Sequence, residues 1–173
     1  SNKFLAYQVR KFFTVNYFVK YIVMICEIVP FLNCLVDKET FNAGIDKQGL
    51  ILKSEMPDFS YNENSFAYSW LKKNGWKGLE QKIVILHIRD SAYLNNIYDK
   101  QKWNYHSYRD SNIDDFHNVI LWLISKGYFV VRTGKFANKK IHINSPYFID
   151  YPFSNSQDDL LDIWLFANSS LVI

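Results

Sequence analysis

The chain has 173 residues, 49% of them hydrophobic and 21% charged, which excludes a disordered chain and fits one domain or a large part of two. Its net charge of +3 sits in residues 1–30, where Lys3, Arg10, Lys11 and Lys20 face Glu27 alone; beyond that segment basic and acidic residues balance. A nucleic-acid-binding domain wants a basic stripe on its folded part, and this pattern excludes one.

Residues 3–29 are predicted to be helical and apolar, with Pro30 as the stop. At about 100° per residue the polar positions Lys3, Arg10 and Thr14 share one face, while Asn16, Lys20 and Glu27 share the opposite one. The polar stripe changes sides near Thr14-Val15, so two short helices are expected rather than one. The segment is too polar for a membrane span and lacks the layout of a secretory signal. Two readings stand: a pair of core helices, or a basic, aromatic segment making peripheral contact with a membrane surface through residues 1–30. Cys26 and Cys34 lie in apolar surroundings without zinc-ligand spacing. They read as reduced core residues, which suits a cytoplasmic setting, at the inner face of the membrane if the segment docks there.

Residues 37–64 form a connecting region with a short strand expected at 50–52. The domain division is therefore placed at 1–60, a helical region and linker, and 61–173, a Rossmann-like domain. Ser65 to Lys73 is predicted to be a helix burying Phe66, Tyr68, Trp70 and Leu71, and Asn74-Gly75 stops it. A buried strand follows at 82–88. It is β-branched and apolar until it ends at His87, Arg89 and Asp90. The loop 89–111 is long and carries Trp103, Tyr105, His106 and Tyr108, which marks it as functional rather than disordered.

A helix over 113–126, capped by Ser111 or Asn112, is expected to bury Ile113, Phe116, Ile120 and Leu123. Tyr128 to Val131 is predicted to be the next strand, ending on Arg132. A third short strand ends at Asp150. A last helix over 157–168 is expected with Ser156 as its cap, and Leu171-Val172-Ile173 opens a fourth strand. A natural C-terminus rarely stops within a strand, so the chain is expected to be a piece of a longer protein. The alternation predicts an α/β fold: a Rossmann-like parallel sheet with flanking helices, preceded by a helical N-terminal region.

In such sheets ligands gather at the carboxyl ends of the strands. Arg89 and Arg132 each end a strand, so they are expected to converge as a clamp on a diphosphate. The competing reading for Arg89 is an ordinary strand-end pair with Asp90. His87, two residues before Arg89, points to the same side. It suits a hydrogen bond to sugar or phosphate, and equally a satisfied strand-end histidine. His106 in the loop is a weaker candidate, and His117 and His142 read as surface positions. Asp162 is a lone carboxylate in an apolar helix and wants a partner. A structural pair or cap stands beside a role in orienting an arginine. Asp158 and Asp159 read first as helix N-terminal charges, and Asp159 also suits a ligand hydroxyl. No glycine-rich dinucleotide or P-loop motif is present, and Thr133-Gly134-Lys135 alone does not make one.

One succession of residues extends this reading: His87-Ile88-Arg89-Asp90-Ser91-Ala92-Tyr93, Tyr108-Arg109-Asp110-Ser111, Gly127-Tyr128-Phe129-Val130-Val131-Arg132-Thr133-Gly134, Ile149-Asp150-Tyr151 and Asp158-Asp159-Leu160-Leu161-Asp162-Ile163-Trp164-Leu165. It resembles a family of bacterial glycosyltransferases found with surface-polysaccharide genes, distantly similar to the O-fucosyltransferase group. The resemblance covers residues 62–173. It implies part of a GT-B fold, in which residues 80–173 open the nucleotide-sugar-binding domain. It also implies a small-residue turn after the strand at 171–173, so the domain is expected to be truncated. Carried over, Arg89 and Arg132 contact the donor diphosphate, Arg109 orders the loop over it, and Asp159 or Asp162 holds the site together. The implied partners are a nucleotide-sugar and a glycan or lipid-linked glycan acceptor. No metal or other cofactor is expected, because no Asp-x-Asp motif is present. Asp90 is the candidate base. Two alternatives are another α/β enzyme acting on a phosphorylated small molecule and a truncated, non-catalytic relative.

Overall fold

The computed structural model describes residues 2–12, 16–35, 58–92, 96, 108 and 110–173. The expected strand at 50–52 and the loop aromatics Trp103, Tyr105 and His106 lie outside the described residues. The chain divides into two compact units, Ser1–Pro57 and Asp58–Ile173.

In the first unit the polar stripe's change of side is matched by two helices, α1 (Lys3–Phe12) and α2 (Val19–Ile28), followed by a 3-10 turn over Pro30–Leu35. Pro30 cannot continue the hydrogen-bond ladder, and α2 ends two residues before it. Cys26 is the buried residue of α2, while Tyr21, Ile22, Met24, Ile25 and Ile28 are exposed.

The second unit begins with α3 (Tyr61–Lys73), followed by β1 (Ile83–His87), a 3-10 turn (Ile113–Phe116), α4 (His117–Ser125), β2 (Phe129–Thr133), β3 (Phe148–Asp150), a 3-10 turn (Tyr151–Phe153), α5 (Asp159–Ala167) and β4 (Leu171–Val172). The four strands form one parallel sheet in the order β3-β2-β1-β4. The chain steps outward from β1 to β2 to β3, then returns to the other side of β1. This is the α/β, Rossmann-like arrangement expected from the alternation of elements.

Side-chain alternation assigns the layers. Ile83 and Ile85 of β1 and Phe129 and Val131 of β2 pack with α3 and α5 through Ala67, Leu71, Leu161, Trp164 and Leu165. Val84, Leu86 and Val130 point the other way, onto Ile113, Ile120, Leu123 and Ile141. Strands covered on both faces read as unbroken apolar runs, which is why β1 and β2 stood out in the sequence. The buried indoles keep partners: Trp164 Nε1 donates to Asn64 Oδ1 at 2.8 Å, Trp70 Nε1 to Ser156 Oγ at 3.0 Å and Trp76 Nε1 to the Gln81 carbonyl at 2.8 Å.

Several boundaries differ from expectation. α3 starts at Tyr61 because Ser60 and Glu63 form a capping box. It buries Ala67, Trp70 and Leu71, and Phe66 is exposed. α5 is capped by Asp158, whose carboxylate accepts from Leu160 N and Leu161 N, while Ser156 receives the Trp70 indole instead. β2 runs on to Thr133, so Arg132 lies inside the strand. Gly75 adopts φ +99°, and a Cβ there would collide with the Pro146 carbonyl, which fixes the glycine at this stop.

Leu71 is fully buried between α3 and the sheet. Leu71→Ala is expected to cost about 2–5 kcal/mol in urea unfolding. Phe66→Ala, on the exposed face, is expected to change stability by less than about 0.5 kcal/mol.

Candidate functional site

The carboxyl ends of β1 and β2 open into a cleft of about 360 Å³ lined by His87, Ile88, Arg89, Asp90, Gly134, Lys135 and Phe136. Its position follows from topology. Strand order reverses beside β1, and in open α/β sheets ligands bind outside the carboxyl ends near that reversal. Gly134 has φ +143°, which lets β2 turn sharply and bring Lys135 and Phe136 onto the cleft wall.

Arg89 extends past β1, with its side chain 40% exposed. Its Nε lies 3.9 Å from Asp110 Oδ1, a loose ion pair. Its carbonyl accepts from Ser111 N at 2.9 Å, so the far end of the long loop is tied to the strand end. The strand-end pair weighed in the sequence thus exists with Asp110 rather than Asp90. His87 lines the same cleft, as its spacing from Arg89 implied. Its ring meets Phe166 edge-on at 5.6 Å, and its Nδ1 lies 3.4 Å from Thr133 Oγ1.

Arg132 does not join them. It is in register with Leu86 on one side and Asp150 on the other, so it sits deeper in the sheet than Arg89. Its side chain is 2% exposed. Nη1 donates to the Lys139 carbonyl at 2.6 Å and lies 3.3 Å from Asp150 Oδ1, while Nη2 lies 3.7 Å from Asp90 Oδ2. The Phe153 ring lies 6.0 Å from the guanidinium carbon. The expected clamp of Arg89 with Arg132 is corrected: Arg132 is a buried structural cation. The reason is parity, since Arg132 shares the face of Val130, which packs toward α4.

Asp90 is likewise occupied. Oδ1 accepts from Ala92 N at 2.9 Å, and Oδ2 accepts from Asn138 N at 2.9 Å beside Arg132. A general base needs an oxygen open to the acceptor. These contacts make Asp90 a brace between two loops. Asp150 completes the brace by accepting from Ile141 N at 3.0 Å. Burial pushes the Asp150 carboxyl up, and the Ile141 N–H and Arg132 hold it back.

Asp162 lies beside the Tyr151 hydroxyl, which donates to the Asp158 carbonyl at 3.2 Å, and no ion pair joins Asp162 to an arginine among the described residues. Burial raises its carboxyl, the tyrosine hydroxyl opposes that, and Asp159 and Asp158 add to the rise. Burial also raises the Tyr151 phenol, whose oxygen accepts from Asp158 N at 2.8 Å. Asp159 lies half-buried in the first turn of α5, away from the cleft lining. Arg109 lies outside the described residues. Sequence reasoning missed Lys135 and Phe136 as cleft residues; the signal was Thr133-Gly134-Lys135 directly after a strand. No group of three or more metal-ligating side chains occurs among the described residues.

Fold and cleft together describe an α/β protein with a cleft at its strand ends that Arg89 and Lys135 line. No protein-family model, no curated protein and no solved structure matches the chain.

Arg132→Met would strand two carboxylates. It is expected to destabilise the fold by about 3–5 kcal/mol in chemical denaturation, and adding Asp150→Asn is expected to recover part of that loss. Asp162 makes a pH-dependent case. Its folded-state pKa lies above the ordinary 3.8, so the folded protein binds this proton more tightly than the unfolded chain. The stability from this group is present below 3.8 and declines as pH rises through the folded-state value. Asp162→Asn is therefore expected to gain stability relative to the parent as pH rises from acid to neutral, read by thermal melts across that range.

Proposed function

We propose that this chain belongs to a glycosyltransferase and that its cleft holds the diphosphate of a nucleotide-sugar donor. The observation that carries this reading is the half-exposed Arg89, with Lys135 on the facing wall, at the carboxyl end of a parallel sheet. An arginine held by one loose ion pair keeps most of its planar donor set for an incoming phosphate. The order of motifs from His87 to Leu165 resembles that of the surface-polysaccharide glycosyltransferases and supports the same reading.

In this mechanism the bond between the sugar's anomeric carbon and the diphosphate oxygen breaks while an acceptor hydroxyl of a cell-surface glycan attacks, and the hydroxyl's proton passes to the departing diphosphate. Negative charge grows on the departing diphosphate. Arg89 and Lys135 stabilise that charge most where water is scarce. His87 offers a ring N–H to the phosphate or sugar. Arg132, Asp90 and Asp150 hold the two loops that carry Arg89 and Lys135, and act only through them.

A second reading, an α/β enzyme for a singly phosphorylated small molecule, is favoured by the withdrawal of Arg132 from the cleft. The test is calorimetric titration of the full-length protein with nucleoside diphosphates, nucleoside monophosphates and inorganic phosphate. Preferential diphosphate binding, weakened by about ten- to hundred-fold in Arg89→Ala, is the expected result. Equal affinity for inorganic phosphate would favour the second reading. Absence of nucleotide binding would overturn the first.

A further inference from the structure

The turn before α2 and α2 itself present an apolar stripe that the sugar-transfer reading does not use. At about 100° per residue, Tyr17, Phe18, Tyr21, Ile25 and Ile28 fall within one side of the helix. All five are exposed, Tyr17 by 73% and Ile28 by 76%. Tyr17 and Tyr21 meet edge-on with ring centroids 6.0 Å apart, which places them side by side on that stripe. Lys20, Glu27 and the buried Cys26 lie away from that stripe, and Val19, Ile22 and Met24 outside it are exposed as well. The charge around it is net positive, because residues 1–30 hold Lys3, Arg10, Lys11 and Lys20 against Glu27.

We propose that residues 17–28 lie in the interface of an anionic membrane, with Tyr17, Phe18, Tyr21, Ile25 and Ile28 inserted at headgroup level. Length decides between lying and crossing. α2 has 10 residues, or about 15 Å, against a hydrocarbon thickness of about 30 Å. No helix among the described residues is long and apolar enough to cross a membrane. Charge decides between lipid and a second copy of the chain. Two like copies would bring two basic segments together, whereas anionic headgroups attract each of them. Aromatic residues with polar tips suit the boundary between headgroup and acyl chain.

The experiment is co-sedimentation of the full chain with vesicles of phosphatidylcholine alone or mixed with phosphatidylglycerol. Binding to the mixed vesicles is expected to exceed binding to the neutral ones by at least about ten-fold at low salt. The triple variant Phe18→Ser, Ile25→Ser, Ile28→Ser changes only exposed positions. It is expected to lose that binding, with its circular dichroism spectrum kept. Hydrogen exchange on the unsubstituted chain is a second readout: amides of residues 19–28 are expected to gain protection on mixed vesicles only. Equal binding to both vesicle types, or none, would overturn the proposal. So would a dimer in light scattering that the triple variant abolishes.

Discussion

The site depends on the buried Arg132. Its guanidinium meets Asp150 from the neighbouring strand, Asp90 from the loop after β1 and the carbonyl of Lys139 from the loop after β2. A cation this deep is tolerable only when its donors are satisfied, and each partner that satisfies it is also a piece of loop. The same contacts fix the geometry of the cleft. Asp90 reaches Asn138 N, and Asn138 Nδ2 donates to Ser91 Oγ at 2.9 Å, so the two loops are laced together. Lys139 adds an ion pair with Asp114 at the start of the 3-10 turn that leads into α4. Both cleft cations therefore stand on backbone that this one network positions.

That arrangement divides the charged residues by role. The buried ones, Arg132, Asp90 and Asp150, hold one cation between two carboxylates and set shape. The outer ones, Arg89 and Lys135, stand on the wall of the cleft beside Ile88 and Phe136. A low-dielectric wall strengthens any anion's attraction to them. On the opposite face of the sheet, Tyr151 and Asp162 anchor the start of α5 against the 3-10 turn that follows β3, a packing role that the buried tyrosine makes plain.

The sheet was legible because its strands are covered on both sides and its helices carry strong stops. β1 and the buried stripe of Ile113, Ile120 and Leu123 could be read directly. The site was legible only in outline. Its place after an apolar run puts Arg89 on the cleft lining, and the same rule misplaces Arg132. Its strand extends two residues further than the apolar run suggested, and inside a strand alternation rather than proximity to the end decides direction. The in-register Asp150 is the signal that separates the two arginines, since a charge beside an opposite charge on adjacent strands pairs rather than waits for a ligand. For α2, apolar content left both burial and contact with a membrane surface open. Periodicity shows which residues share a side of a helix but not which side is covered, and five of α2's apolar residues between Tyr21 and Ile28 are exposed.

Under the proposed function Arg89 meets the diphosphate and Arg132 does not, and side-chain NMR reads that difference directly. The arginine Nε–Hε resonances of the full-length protein are followed during titration with a nucleoside diphosphate. The Arg89 signal is expected to shift and saturate, while the Arg132 signal stays in place and exchanges slowly with solvent. A saturating shift at Arg132, with Arg89 unmoved, would contradict the account.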